Sequence, residues 1–371
     1  EVGVDNVTID SQFDDFSRPG SPGCGLAVAR AGRLIYSRGY GYANLDYDIP
    51  ITPQTVFDVA SVNKQFVAAG LSMLALEGKL SLDDNVRKWL PELPEYEWPI
   101  TLRHMIYHTS GLRDYLNLFP LAGRDDYFPI SHPQILARMS RQRALNFRPG
   151  ERYSYSNTAY MLLAQVVERA SGTTLGEFSK ERIFEPLEMS GSLMYDNLEE
   201  IIPQRAIGYD RNDNGQVRIV HNYNFDVPGD GQLYTTMPDL LRWDAWLHGE
   251  PPPKIHELML TEGRLNSGEP IGYAQGLVLG EYRGLRTVRH SGGSWGFLTQ
   301  LVRFVEPKLS IAVSCNSGYA PTRRLVEEIA DHYLADHLEP PVEDKDSEPE
   351  EDESSQPEPP ALTAEHMEEF V

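Results

Sequence analysis

The stretch "FDVASVNKQFVAAGLSMLAL" (57–76) places a serine, Ser61, three residues before a lysine, Lys64, at the head of a long apolar run. Val62, Phe66, Val67, Leu71, Met73, Leu74 and Leu76 cover nearly every face of a helix written over 61–76. A helix that is apolar all round sits in the middle of a protein. Residues three apart share a helical face, so Ser61 Oγ and Lys64 Nζ can meet. At a helix N-terminus the dipole favours a developing alkoxide, and a backbone N–H can face an oxyanion. The ordinary alternative is a helix cap with a lysine in the next turn, because Ser-x-x-Lys by itself is common. Placement weighs against it: an unpaired ammonium inside an apolar helix is costly. A lysine among apolar groups also has its pKa pulled down, which is what a general base needs.

Working outward, "CGLAVARAGRLIYSRGYGYAN" (24–44) reads as a hairpin turning at Ala31-Gly32. Gly78 stops the serine helix, and "SLDD" (81–84) reads as the cap of a following helix. Residues from about 85 to 220 carry helical patterns separated by Pro-rich turns. Among them are "ISHPQILARMSRQ" (130–142) and "TAYMLLAQVVERASG" (158–172), the second ending at Gly172. Strand character returns in "RTVRHSGG" (286–293), "GFLTQLVRFVE" (296–306) and "LSIAVSCNS" (309–317), before an amphipathic closing helix in "PTRRLVEEIADHYLADHL" (321–338). Strands at both ends with helices between predict an α/β (α+β) fold: one antiparallel sheet made from both termini, flanked by helices, with an inserted helical subdomain. The expected boundaries are a catalytic unit over 1–338, its α/β part at about 1–65 and 221–338 and its helical part at about 66–220.

The segment 339–360 is Pro, Glu, Asp and Ser with almost no apolar side chain, and is expected to be a disordered acidic linker. "ALTAEHMEEFV" (361–371) regains apolar periodicity, as a short docking helix or the start of a further domain. The formal charge is −22, from 55 acidic against 33 basic residues. Ten of the acids and one base, Lys345, lie in 339–360, and the remainder is still strongly acidic. Such a surface repels phosphate backbones and anionic lipid, so nucleic acid is not an expected partner. No apolar run is long enough to span a membrane. The chain starts at Glu1 without a methionine or a charged-then-apolar leader, which reads as either a processed mature chain or an excised piece, with a periplasmic or secreted location as the expectation. Two cysteines, Cys24 and Cys315, make neither a disulfide scaffold nor a zinc site, and read as buried small hydrophobes.

Two more stretches carry chemistry. "GERYSYSNTAY" (150–160) holds Tyr155-Ser156-Asn157 on a turn before a helix. A tyrosine beside the lysine can relay the serine's proton, and the asparagine amide can bind a substrate carbonyl. Tyr153 competes with Tyr155, but only Tyr155 has asparagine two places on. "RHSGGSWGF" (289–297) puts His290-Ser291-Gly292 on a strand with Gly293 next to it. Small residues there let a substrate lie along the strand as an extra pairing partner.

In this order, Ser61-Val62-Asn63-Lys64, Tyr155-Ser156-Asn157 and His290-Ser291-Gly292 resemble the motif set of the serine β-lactamase and penicillin-binding-protein superfamily. The branch they are similar to is that of class C β-lactamases, D-alanyl-D-alanine peptidases and related esterases. The phrases "GYGYAN" (39–44), "GKLSLDD" (78–84), "HTSGL" (108–112) and "GDGQLYTTMPDLLRW" (229–243) fit the same family, over roughly residues 20–338. The resemblance implies that Ser61 is an acylated nucleophile and that Lys64 and Tyr155 share the base and acid work. It also implies that Asn157, His290, Ser291, Gly292 and Gly293 bind substrate. The backbone N–H groups of Ser61 and Gly293 would form the oxyanion hole, worth about 3 kcal/mol per donor. No cofactor or metal is implied. In this family the first strand pairs antiparallel with the last, which would bring Cys24 near Cys315. A disulfide then becomes an option beside the buried-hydrophobe reading, given Cα atoms within about 7 Å.

One departure bears on substrate. His290 stands where β-lactamases and many peptidases of the family carry lysine, and a histidine with an ordinary pKa of about 6.5 is mostly neutral at pH 7. Arg289 cannot substitute, because neighbours on a strand face opposite ways. The expected activity is therefore serine hydrolysis of esters or small amides. The alternatives are a class C-type β-lactamase or D-alanyl peptidase, and, from another class, a sensor that binds peptidoglycan or β-lactam without turnover. The expected ligand in every case is a small molecule. Gly292-Gly293-Ser294-Trp295-Gly296 also matches Gly-x-Ser-x-Gly, which needs a strand-turn-helix setting. A strand follows instead, so Ser294 reads as a turn residue, Trp295 as a wall of the substrate cleft, and His108 as a structural histidine tied to backbone.

Overall fold

The computed structural model describes residues 6–121, 130–220, 225–249 and 253–340. Its centre is a six-stranded antiparallel sheet that draws on both ends of the chain. The strand order is Val278–Tyr282, Leu285–Ser294, Phe297–Phe304, Leu309–Cys315, Cys24–Arg30 and Arg33–Tyr40. The first strand, Cys24–Arg30, pairs with the last, Leu309–Cys315, in a register running from Cys24 opposite Cys315 to Arg30 opposite Leu309. Both are buried almost end to end. Alternation still governs them, because each face meets a different layer. Leu26, Val28, Ile311 and Val313 pack with Leu325, Val326 and Ile329 of the closing helix Thr322–Leu334. Ala27, Ala29 and Ala312 face the other way, into the larger core that holds the serine helix. On that side the helix Met237–Leu247 is pinned to the sheet by Asp244, which accepts from Arg303 Nη1 at 3.0 Å and Ser310 Oγ at 2.5 Å.

The serine helix runs Lys64–Leu76 and is buried from Lys64 to Leu71 without a break. Phe66 stacks on Trp243 with ring centroids 4.3 Å apart, and Trp243 Nε1 donates to Gln65 Oε1 at 2.8 Å. The helix Asn157–Ser171 packs along it. The intervening segment mixes short helices with small strand pairs. One of these is the hairpin Gly208–Arg211 with Val217–Val220, and another joins Phe57–Asp58 and Leu193–Met194 to Leu233–Thr235. "SLDD" differs from expectation: it closes a turn between Ser81 and Asp84. The cap is Asn85, whose side chain accepts from Arg87 N above a one-turn helix, Val86–Lys88. Glu339, where the linker was expected to begin, is still bonded to Arg283 through its N–H and carbonyl. The rest of the expected linker (341–360) and the tail (361–371) lie outside the described residues. Among the described residues, no helix is long and apolar enough to cross a membrane.

The two cysteines correct their first reading. They are directly opposite one another in the sheet, fully buried, and bonded as a disulfide. The bridge ties together strands 291 residues apart in sequence, so it constrains the unfolded chain strongly. Denatured without reductant, the protein should take up no iodoacetamide, and after reduction it should take up two equivalents. The double variant Cys24→Ala/Cys315→Ala should lose about 2–4 kcal/mol in a guanidinium titration.

Candidate active site

The turn that presents Ser61 is built under strain. The strand Phe57–Asp58 leads into a one-turn 3-10 helix, Ala60–Asn63, and the α-helix proper begins only at Lys64. Ala60 is held at φ 47°, a left-handed conformation that costs a non-glycine residue about 1–2 kcal/mol. Asp58 holds it there: its Oδ1 accepts from Ala60 N at 2.9 Å, and its Oδ2 from Ser294 Oγ at 2.6 Å. Asp58 is buried, which pushes its carboxyl above the usual range, while both hydrogen bonds pull the other way. Ser294 is therefore the last residue of its strand, spent on a carboxylate, and not a turn residue.

Lys64 lies at the floor with no exposed surface. Its Nζ donates to Ser61 Oγ, Asn157 Oδ1 and the Asp230 carbonyl, each at 2.9 Å. Burial lowers its pKa, and the carboxylates of Asp230 and Asp114 raise it in part. Asp230 itself is raised by burial, with Lys64 acting in the opposite direction. Its Oδ2 accepts from Tyr115 Oη at 2.7 Å, while Oδ1 is buried without a hydrogen-bond partner among the described residues. Asn157 is fixed from behind, its N–H donating to Asp114 Oδ2 at 2.6 Å. Ser156 caps the helix that starts at Asn157, accepting from Ala159 N at 3.3 Å.

Tyr155 lies over Lys64, with Nζ 4.9 Å from the ring centroid. Burial pushes its pKa well up, and its position toward Ser61 lowers it in part. The phenol is therefore protonated at rest, and its hydroxyl has no hydrogen-bond partner among the described residues. The site thus holds a lysine shifted toward its neutral form on one side of Ser61 and an unspent O–H on the other. That arrangement can take a proton from the serine and give one to a leaving group.

Ser61, Tyr155, Asn157, Gly293 and Trp295 line one open cleft of about 470 Å³, together with Asp58, Tyr115, Asp210, Asp230 and Gln232. Trp295 is among the residues that line it. Among the described lining residues there are three aspartates and no Arg, Lys or His. Strand Leu285–Ser294 is paired on its outer side only as far as Arg289, so the edge over His290–Ser294 faces the Ser61 turn without a strand partner. Gly292 makes this approach possible: a Cβ there would sit 2.1 Å from the Val59 carbonyl oxygen.

His290 does not face the substrate cleft, contrary to the role the motif assigns it. The ring is 3% exposed, its Nε2 is 3.1 Å from Tyr273 Oη, and its Nδ1 is 2.6 Å from the Ser291 carbonyl. Burial first, then the Lys64 charge, push its pKa down to about 3, so it is neutral. Ser291 is half-buried and, like Gly292, lies beside the cleft rather than in its lining. His108 is tied to backbone as expected, its Nδ1 accepting from Ser156 N at 3.0 Å, but its Nε2 also reaches Tyr273 Oη at 3.2 Å. Sequence reasoning missed Asp58, Asp114, Tyr115, Asp230 and Tyr273. Two of them lay inside quoted phrases, Asp58 in "FDVASVNKQF" and Asp230 in "GDGQLYTT", without being singled out.

Comparison with known proteins identifies the family and the fold. A family model described as Beta-lactamase matches residues 9–335. Penicillin-binding protein 4* of Bacillus subtilis is 33% identical over 313 residues, covering 78% of this chain and 67% of that protein. A D-aminopeptidase of Gluconobacter oxydans is 28% identical over 80% of this chain. The chain spans 56% of that relative's length. Among solved structures, the octameric penicillin-binding protein homologue from Pyrococcus abyssi superposes with a TM-score of 0.78 at 26% identity, over 89% of this chain and 78% of that one. The D-amino acid amidase from Ochrobactrum anthropi SV3, at 22% identity over 89% of this chain and 99% of that one, shares the fold with a TM-score of 0.72.

If Lys64 must be neutral to act, kcat/KM should rise with pH and level off below the ordinary lysine range. Asp230→Asn removes a carboxylate that raises the lysine's pKa, so the rise should move to lower pH; a shift upward, or none, would contradict the coupling. Gly292→Ala should cut turnover at least about a hundredfold, the scale set by a misplacement of about 1 Å, while the circular-dichroism spectrum stays native.

Proposed function

The chain belongs to the β-lactamase family, and from that premise we propose that it is a serine hydrolase working through an acyl-Ser61 intermediate on esters or small amides. The observation that carries the reading is the buried Lys64 Nζ bridging Ser61 Oγ and Asn157 Oδ1, beneath a Tyr155 hydroxyl turned toward Ser61. In the proposed reaction Ser61 Oγ attacks the acyl carbon and its proton passes to neutral Lys64. The oxyanion is held by the N–H groups of Ser61 and Gly293. As the tetrahedral species collapses, the departing oxygen or nitrogen takes a proton from Tyr155, which Lys64 reprotonates. Water then attacks the acyl-enzyme and releases the acid, regenerating Ser61.

The lining of the cleft narrows the substrate. A free carboxylate beside the scissile bond calls for a cation, and among the described lining residues the charged side chains are Asp58, Asp210 and Asp230 instead, with His290 buried and neutral. This favours neutral or amine-bearing acyl groups over penicillins and peptides ending in D-alanine. Relatives named D-aminopeptidase are consistent with amide cleavage. The complete set of serine, lysine and tyrosine supports turnover over one-time capture. The buried Cys24–Cys315 bridge supports an oxidising compartment, periplasmic or extracellular.

Steady-state hydrolysis of p-nitrophenyl butyrate, an amino-acid amide and a chromogenic cephalosporin, for wild type and Ser61→Ala side by side, tests this. Ester or amide turnover that vanishes in the variant, with little cephalosporin cleavage, is expected. Rapid cephalosporin turnover would favour a β-lactamase, and activity surviving in Ser61→Ala would remove the serine from the mechanism.

A further inference from the structure

Four segments distant in sequence meet behind Tyr155 in a chain of hydrogen bonds whose polarity is fixed at both ends. At one end the Ser156 backbone N–H can only donate, so His108 Nδ1, 3.0 Å away, must present its lone pair. A neutral His108 then carries its proton on Nε2, which points at Tyr273 Oη 3.2 Å away. At the other end the Ser291 carbonyl can only accept, so His290 Nδ1, 2.6 Å away, must carry the proton. That leaves the His290 Nε2 lone pair facing Tyr273 Oη at 3.1 Å. Tyr273 Oη lies within hydrogen-bond distance of both rings and satisfies both by accepting from His108 and donating to His290. Tyr160, packed alongside, donates its own hydroxyl to the Ile106 carbonyl at 2.8 Å, so toward Tyr273 its oxygen can only accept, in competition with His290 Nε2 for the one Tyr273 proton. Both imidazoles are almost wholly buried, and the Lys64 charge nearby also disfavours their protonation, so neither gains a second N–H to upset the order.

We propose that Tyr273, with His108 and His290, forms a one-way hydrogen-bond relay that positions the Tyr155 turn against the Gly293 strand edge. Its two termini are the residue after Tyr155 and the residue two before Gly293. His108 also stacks on the Tyr155 ring at 4.2 Å, so the relay sets the ring as well as the backbone. These are positioning residues: none of the three lines the cleft. The third-motif histidine thus serves the acid and the oxyanion donor at once, instead of holding a substrate carboxylate. The hydrogen-bond order stands on the geometry alone, and its effect on turnover rests on the hydrolase reading above.

The test begins with the wild-type protein. Long-range ¹H–¹⁵N correlation spectra at pH 7, assigned with His108→Gln and His290→Gln, should show the two rings as opposite neutral tautomers, Nε2–H for His108 and Nδ1–H for His290. The same tautomer in both, or a protonated ring, would overturn the relay. Tyr273→Phe keeps the ring packing and removes the bridge. It should lower kcat about ten- to a hundredfold with KM changed less than about twofold, and should mix the tautomers. His290→Gln, whose amide oxygen can accept from Tyr273, should retain more activity than His290→Leu. Wild-type kcat in Tyr273→Phe would refute the positioning role. A wild type that hydrolyses none of the substrates would count against the hydrolase reading, while the tautomers would still decide the relay.

Discussion

The site is organised around one buried ammonium. Lys64 has no access to water, so each of its three N–H bonds must find an acceptor inside the protein. The acceptors come from three places: the serine one turn away, the asparagine that opens another helix, and a backbone carbonyl from the segment entering strand Leu233–Thr235. Satisfying the lysine therefore fixes the serine helix, the Asn157 helix and the sheet side of the cleft relative to each other. Asp230 and Asp114 supply the compensating charge, and the balance between their field and desolvation sets how readily the lysine sheds its proton.

A second constraint holds Ser61. Asp58 stabilises the left-handed backbone at Ala60 with one oxygen and grips the end of strand Leu285–Ser294 through Ser294 with the other. Strain at Ala60 and the close passage of Gly292 by Val59 belong to one arrangement, in which the strand edge and the Ser61 turn are pressed together. The third motif takes part in the same arrangement from behind, through buried neutral rings. Among the described residues, the cleft then has no positive charge other than that of the lysine beneath it.

The hairpin at Ala31-Gly32, the serine helix, the Asn157 helix, the late strands and the closing helix were legible because each rests on local periodicity and turn chemistry. The three motifs were legible because their members are close in sequence. "SLDD" was misread because Asn85, one place further on, offered a competing cap to a helix only one turn long. The roles of Asp58, Asp114, Asp230 and Tyr273 were not legible, since each joins segments dozens to hundreds of residues apart: Asp58 to Ser294, Asp114 to Asn157, Asp230 to Lys64 and Tyr115, and Tyr273 to His108.

The sequence by itself determined the layers of this protein and the identity of its chemical groups: which runs bury themselves, and which serine, lysine and tyrosine lie near enough in the chain to be read as sets. Only the tertiary structure decided what those groups face. It joined Cys24 to Cys315 through strand register, turned His290 away from the cleft toward Tyr273, and left three aspartates as the charged lining. The reason is that periodicity reports whether a side chain points inward or outward, whereas the partner it meets depends on the packing of segments that the chain order does not bring together.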